Sequence, residues 1–385
     1  MIAPHGGTLT NRVLTGAESE AAADRARSLP QLAVDYDTAR DVQNIARGVF
    51  SPLAGFVGKA DFESICQTGR LASCDVAWTI PIILDRPDGG GLQTGGEYCL
   101  VVEGRDTPLA ILRLEEVYEW DKAKAAQAVF GTIEDAHPGV KGFYDRGDVL
   151  LGGDIDLIDN GRGPHASHNL FPAETRQVFQ ERGWKTICAF QTRNVPHAGH
   201  ENLQKTVLGL FDGLFVQPII GKKKPGDFRD DVILKAYETI IEQYYAKDRV
   251  FLNILPTEMR YGGPREAILH AIMRKNYGAT HIIIGRDHAG VGDYYGEEEA
   301  IEMFDKPQFA DLDIKPVTIR GDFWYCTRCG AVASNRTCPH GEDDQISFSG
   351  TKIRQGIIDG VAPDARIMRP EVYEVIRGFD EPFVA

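Results

Sequence analysis

From about residue 169 the chain repeats one pattern: a short apolar run, a polar loop, then a run with helical spacing. Thr186 to Phe190, Leu214 to Ile220, Val250 to Leu255 and His281 to Ile284 read as strands. A helix begins near His197, and a second covers about Asp231 to Tyr245. A third opens at Gly263-Pro264 and runs to Tyr277, with Pro in the first turn where its missing N–H is harmless. Strands alternating with helices predict an α/β fold with a parallel sheet and right-handed crossovers. In such sheets ligands bind beyond the carboxyl ends of the strands.

The residues with the most chemistry stand at those ends. Gln191-Thr192-Arg193-Asn194-Val195-Pro196-His197-Ala198-Gly199-His200-Glu201 follows the first of these strands and leads into a helix. His197 and His200 are three apart, on one face of the first turn. A helix start offers backbone N–H groups to phosphate, Arg193 presents a fork matched to tetrahedral oxyanions, and Gly199 is expected to let a nucleotide approach closely. A bare His-x-x-His is more often a solvated pair. Here the preceding strand and the Gln-Thr-Arg-Asn run favour function.

The rest of the chain is organised differently. The first 30 residues are polar and Ala-rich, read as an arm. Residues 31 to 168 are β-rich, with strands at Ala77 to Leu84, Tyr98 to Val102 and Leu109 to Leu114, a turn at Gly104-Arg105-Asp106 and a helix over Asp121 to Phe130. Residues 321 to 385 form a third unit containing a Cys-rich stretch and then Phe348-Ser349-Gly350-Thr351-Lys352-Ile353-Arg354 at a helix start.

Net charge is −14, which argues against nucleic acid as a partner. A bound polyanion then needs positive groups gathered in one place, and Arg193, His197, His200, Arg260, Arg265, Arg286 and His288 are the candidates. With no apolar run of about 18 residues, no membrane span is expected. The start of the sequence has no basic and apolar leader pattern, so the cytoplasm is the expected setting. Seven cysteines do not read as a secreted disulfide framework. Cys66, Cys74, Cys99 and Cys188 are expected as buried thiols. Cys326-Thr327-Arg328-Cys329-Gly330 has the shape of a metal knuckle, and Cys338-Pro339-His340 adds two donors. Three thiolates and an imidazole make a closed tetrahedral site, expected to hold structural zinc. His340 is the least secure ligand, with His288, Glu342 and Asp343 as competitors. A redox pair and unliganded thiols are the rival readings.

The Gln191 to His200 segment resembles the Gln-Thr-Arg-Asn…His-x-x-His signature of the ATP sulfurylase family, and its second half the His-x-Gly-His signature of nucleotidylyltransferases. Val195 stands where the family usually has Pro. Gly285-Arg286-Asp287-His288-Ala289-Gly290 is similar to that family's Gly-Arg-Asp-His-Ala-Gly motif, and Met259 to Glu266 to its Met-Arg-Tyr-Ala-Gly-Pro-Arg-Glu segment, with Gly262 for Ala. Phe348 to Arg354 is similar to the Ser-Gly-Thr-x-x-Arg element, and Phe50 to Phe56 to a segment near the family's N-terminus.

The resemblance implies a PUA-like β-rich domain over 1–168, a Rossmann-like nucleotidylyltransferase catalytic domain over 169–320, and a small C-terminal α/β domain with the zinc knuckle over 321–385. It implies sulfate adenylyltransferase activity, with ATP and sulfate as substrates and adenosine 5'-phosphosulfate and pyrophosphate as products. Thr192, Arg193, Asn194, His197 and His200 would be catalytic. These five with Gln191, Gly285, Arg286, Asp287 and His288 would bind ATP. Gln191, Arg193, Arg286 and the Ala289 N–H would bind sulfate. Arg260 and Arg265 would add charge, unless they serve structural ion pairs. Some bacterial members carry such a zinc site, Mg²⁺ accompanies ATP, and a homo-oligomer, a dimer first, is implied. A nucleotidylyltransferase with another acceptor remains the alternative. A zinc-knuckle nucleic-acid module is disfavoured by the acidic charge, and a fused kinase by the absence of a Gly-x-x-x-x-Gly-Lys-Ser/Thr loop.

Overall fold

A computed structural model describes residues 1–159, 161–348 and 350–384, and in it the β-rich first half forms a six-stranded sheet. Its spine is the long antiparallel pair Pro108–Glu119 and Val149–Leu157. Glu97–Val102 adds antiparallel to the first, and Gln31–Val34 extends the sheet in parallel. Gly55–Phe56 and Leu84–Arg86 both pair with Val149–Leu157. The expected helix forms as Lys122–Phe130, because Asp121 caps it by accepting from the Lys124 N–H at 2.9 Å. The N-terminal arm contains a helix, Gly16–Ala26.

The strand expected from Ala77 to Leu84 is laddered only from Leu84. The apolar residues before it are buried as the pattern required, but Pro81 has no N–H to give a ladder and the carbonyls are taken elsewhere. Ala77 O accepts from His5 Nε2 (2.6 Å), Thr79 O from Arg265 Nη1 (3.1 Å), Ile80 O from Trp78 Nε1 (2.9 Å) and Ile82 O from the Val57 N–H (3.2 Å).

Two compact units result, both discontinuous in sequence: Met1–Gly183 with Pro256–Pro316, and Trp184–Leu255 with Val317–Ala385. In the first, helix Gly263–Tyr277 is buried on nearly every side. Ile268, Leu269, Ile272 and Met273 supply the apolar contacts, each contributing about 1.5–3 kcal/mol. Its last carbonyls are satisfied by the Arg176 fork, which donates to Asn276 O (2.7 Å) and Lys275 O (2.6 Å), before Gly278 ends it at φ 103°.

In the second unit, Ile187–Thr192, Gly213–Ile220 and Val250–Leu252 are parallel neighbours. Helices Ala198–Leu208 and Asp230–Tyr244 form the crossovers between them, as the alternation predicted. The middle strand is buried at all eight positions, the mark of a parallel strand covered on both faces. Phe323–Cys326, Ala331–Ser334 and Gln345–Ser347 make a small antiparallel sheet. Among the described residues no helix is long and apolar enough to cross a membrane.

Candidate active site and metal centre

The strand Ile187–Thr192 delivers the Gln-Thr-Arg-Asn run to its carboxyl end, with Gln191 beside Gln217 and Thr192 beside Pro218. Gln191 Oε1 is enclosed with no hydrogen-bond partner among the described residues. Thr192 is buried, and its hydroxyl both accepts from the Asn194 N–H (3.1 Å) and donates to Asn194 O (3.2 Å). That small ring folds the loop back and leaves the Asn194 residue exposed. Arg193 reaches toward Lys222 O (3.3 Å) and Asp227 Oδ2 (3.5 Å).

His197 does more than present a ring. It is the N-cap of helix Ala198–Leu208, and its Nδ1 accepts from the N–H groups of Gly199 (3.1 Å) and His200 (3.4 Å). The Ala198 N–H donates to Ile367 O at 2.7 Å. The helix start therefore does not hold free amides for phosphate, contrary to expectation, because the chain fills them itself. An accepting Nδ1 places the proton on Nε2, so His197 offers one outward N–H donor. The His197 and His200 rings stack at 3.8 Å between centroids, and Phe348 also stacks on His197, at 5.6 Å. Gly199 is small for this packing: a Cβ there would lie 2.9 Å from His197 Cε1 and 3.1 Å from Phe348 Cδ2. The space expected for a nucleotide at Gly199 is occupied by those rings.

Burial pushes His197 down to about 4. His200 is held well below the usual range, by burial first and by His197 second. Burial likewise lowers His288, with His270 and Arg274 adding to it. The three histidines counted among the positive groups are thus neutral near pH 7. They serve as neutral hydrogen-bonding groups.

The Gly285–Ala289 motif lies in the other compact unit, beyond the strand His281–Ile283. Asp287 and Ala289 both adopt positive φ, 48° and 59°, a conformation that costs about 1–2 kcal/mol for a residue with a Cβ. Gly290 is forced by the same loop, since a Cβ there would fall 1.8 Å from Asp287 Oδ1. Arg286 Nη1 lies 3.2 Å from Glu297 Oε2. His288 Nε2 meets His270 Nδ1 at 3.1 Å, and His270 Nε2 lies 3.2 Å from the buried Glu266.

Arg260 and Arg265 do not add free charge. Arg260 Nη2 holds both oxygens of Asp41, at 2.8 and 2.9 Å. Arg265 donates to the carbonyls of Ile65, Thr79 and Cys66. Both guanidiniums tie structure together, the alternative the sequence had left open. Ser349 and the Thr351 side chain, expected to offer hydroxyls at a helix start, lie outside the described residues.

Cys326, Cys329, Cys338 and His340 form one cluster, with ligand atoms all within 4.8 Å of one another. Cys329 Sγ and Cys338 Sγ are 3.6 Å apart, and His340 Nδ1 lies 3.3–3.4 Å from the three sulfurs. A disulfide needs about 2.05 Å. These separations instead approach the edges of a tetrahedron with metal bonds of about 2.0–2.3 Å. The Cys329 N–H points at Cys326 Sγ (3.3 Å), steadying the knuckle. The cluster can hold a metal ion, and His340 is its fourth member. Of the other cysteines, Cys99 and Cys188 are buried as expected, whereas Cys66 is partly buried and Cys74 is exposed.

The ATP-sulfurylase family model matches residues 166–378, and a PUA-like domain model matches residues 2–160. The chain belongs to the ATP-sulfurylase family. Two of its relatives are a sulfate adenylyltransferase of Thermococcus onnurineus, 49% identical over 99% of both chains, and one of Hyperthermus butylicus, 48% identical over 99% of this chain and 97% of that one. A solved structure titled hexameric APS kinase, from Thiobacillus denitrificans, shares the fold with a TM-score of 0.78 at 22% identity, over 99% of this chain and 69% of that one. The PUA-like match falls on the six-stranded sheet, and the ATP-sulfurylase match takes in both signature loops and the metal cluster.

Two residues of the site have no signal in the sequence, one beside His197 and one beside Arg193. Phe348 was quoted within a motif but given no part, and its ring stacks on His197. Asp227 follows Lys222-Lys223-Lys224-Pro225-Gly226 and carries no motif, yet it faces Arg193 and Arg354.

Proposed function

We propose that the chain is a sulfate adenylyltransferase, forming adenosine 5'-phosphosulfate and pyrophosphate from ATP and sulfate. The observation that carries this is full-length identity of about 49% to a sulfate adenylyltransferase, with both signature loops at strand ends. A sulfate oxygen attacks the α-phosphorus in line, a new P–O bond forms, and the bond to the bridging oxygen breaks with its electrons leaving on pyrophosphate. Sulfate carries no proton at neutral pH, so no general base is needed. The obstacle is the mutual repulsion of the two anions.

Arg193 counters that charge, as do Arg286 and the Ala289 N–H in the second loop, and Gln191 assists Arg193. The His197 Nε2–H donates to phosphate oxygens as charge builds, and His200 stacks behind it. Thr192 holds the loop through Asn194, which orients phosphate oxygens. Gly285, Asp287 and His288 contact the nucleotide. ATP enters as its Mg²⁺ complex, the ion held by phosphates and water. Zinc at Cys326, Cys329, Cys338 and His340 is structural, since four protein ligands leave no open position.

Residues 1–168, 169–320 and 321–385 serve as PUA-like, catalytic and C-terminal zinc-bearing domains. The setting is cytoplasmic, where thiols stay reduced, and the protein assembles as a homo-oligomer, a dimer being the first expectation.

Pyrophosphate release from ATP, followed with and without sulfate and with other acceptors, tests the activity. Release must depend on sulfate. His197→Ala should cut kcat by at least about a hundredfold while retaining the wild-type circular dichroism spectrum. Wild-type turnover in that variant contradicts the assignment.

A further inference from the structure

We propose that Asp227 is a positioning residue for this reaction, a carboxylate that holds two guanidiniums ready for the incoming oxyanion. Its two oxygens face two different arginines. Oδ2 lies 3.5 Å from Arg193 Nη2 and Oδ1 lies 3.4 Å from Arg354 Nη1. These arginines come from two distant signature segments, the Gln-Thr-Arg-Asn loop and the helix Gly350–Ile358. Their side chains are 22% and 31% exposed, and that of Asp227 is 26% exposed. One negative charge therefore stands between two half-buried positive ones, and the group keeps a net positive charge.

The contacts are looser than two tight arginine ties of this chain, which measure 2.8 and 2.9 Å for Arg260 with Asp41 and 2.7 and 3.0 Å for Arg369 with Glu201. Charge-assisted bonds of full strength measure about 2.7–2.9 Å. At 3.4–3.5 Å, Asp227 orients the two guanidiniums without clamping them. A tetrahedral dianion can take them over at small cost.

Asp227 is also the fixed partner. Its N–H donates to Lys224 O (3.0 Å), and its carbonyl accepts from the Val384 N–H (2.8 Å). The Gly226 N–H donates to Val384 O (2.9 Å), and the Arg229 N–H to Pro382 O (3.0 Å). The ring of Phe228 packs on Phe383 at 4.8 Å. Oδ2 accepts from the Lys224 N–H as well, at 3.2 Å. The nearby Asp230 is engaged by Lys223 at 3.0 Å. A carboxylate on a stapled backbone thus sets where two long, flexible side chains stand. Without it they repel each other and must be ordered by the substrate itself, at a cost in binding.

The inference rests on reading Arg193 as a sulfate-binding residue. The wild-type enzyme tests that reading first, since absence of sulfate-dependent pyrophosphate release contradicts the activity before any variant is made. Asp227→Asn keeps the shape and can still accept from the Lys224 N–H, so it removes charge with little change of fold. It should raise KM for sulfate about tenfold, raise KM for ATP by a smaller factor, and leave the melting temperature near wild type. Asp227→Glu, which restores the carboxylate, should recover most of the loss. An unchanged KM for sulfate in Asp227→Asn overturns the proposal. So does a lowered one, which would make Asp227 a competitor of sulfate. A parallel rise of both KM values with a fall in melting temperature would mean a structural role and overturn it too.

Discussion

His197 shows how one side chain can serve the backbone and the chemistry together. Capping the helix through Nδ1 requires a neutral ring, and burial supplies it by moving the group to about 4. An exposed imidazole, with an ordinary value of about 6.5, could count among the positive groups; burial of His197, packed against His200 and Phe348, removes that charge. As pH is lowered from 6.5 to 4 the unfolded chain takes up the proton and the folded one does not, so stability falls as the pH falls through that window. Activity, in contrast, should be insensitive to the ring until protonation near 4. A pH profile of kcat/KM is expected to be level between about 5 and 8 and to fall toward 4. An inflection near 6.5 would contradict a neutral, capping His197.

At the scale of elements, the small sheet formed by Phe323–Cys326, Ala331–Ser334 and Gln345–Ser347 has, among the described residues, a small buried cluster of Trp324, Cys326 and Ala333, with Cys338 packed on it. So few side chains cannot offset the ordering of three strands, at about 1–2 kcal/mol per residue. A metal bound by Cys326, Cys329, Cys338 and His340 supplies the missing cohesion. Purified protein should carry one zinc per chain by atomic absorption. Chelation or Cys326→Ser should lower the melting temperature by on the order of 10 °C. A metal-free protein of undiminished stability would remove zinc from this account.

In the whole molecule, discontinuity is the main fact, since each compact unit is built from two separated stretches. Asn276 shows what joins the two stretches of the first unit. It is fully buried, its Oδ1 accepts from the His5 N–H (2.8 Å), and its Nδ2 donates to Val49 O (2.9 Å) and Ser51 O (3.0 Å). Asn276→Ala leaves one N–H and two carbonyls without partners and should cost about 3–5 kcal/mol. Urea unfolding would measure this, and a loss below 1 kcal/mol would refute it. That return of Pro256–Pro316 to the first unit was not visible in the sequence, because a buried Asn in a helix looks like any polar residue until its partners are known.

The α/β alternation, the strand-end placement of Arg193 and Arg286, and the Cys-x-x-Cys knuckle were legible, since each depends on spacing within a few residues. The fate of Arg260 and Arg265, the closed helix start, the broken ladder after Ala77 and the place of Asp227 were not. Each depends on which distant carbonyl, carboxylate or ring arrives beside a side chain. Local periodicity decides elements and the residues at their ends; long-range packing alone decides which charges stay available and which protons are held.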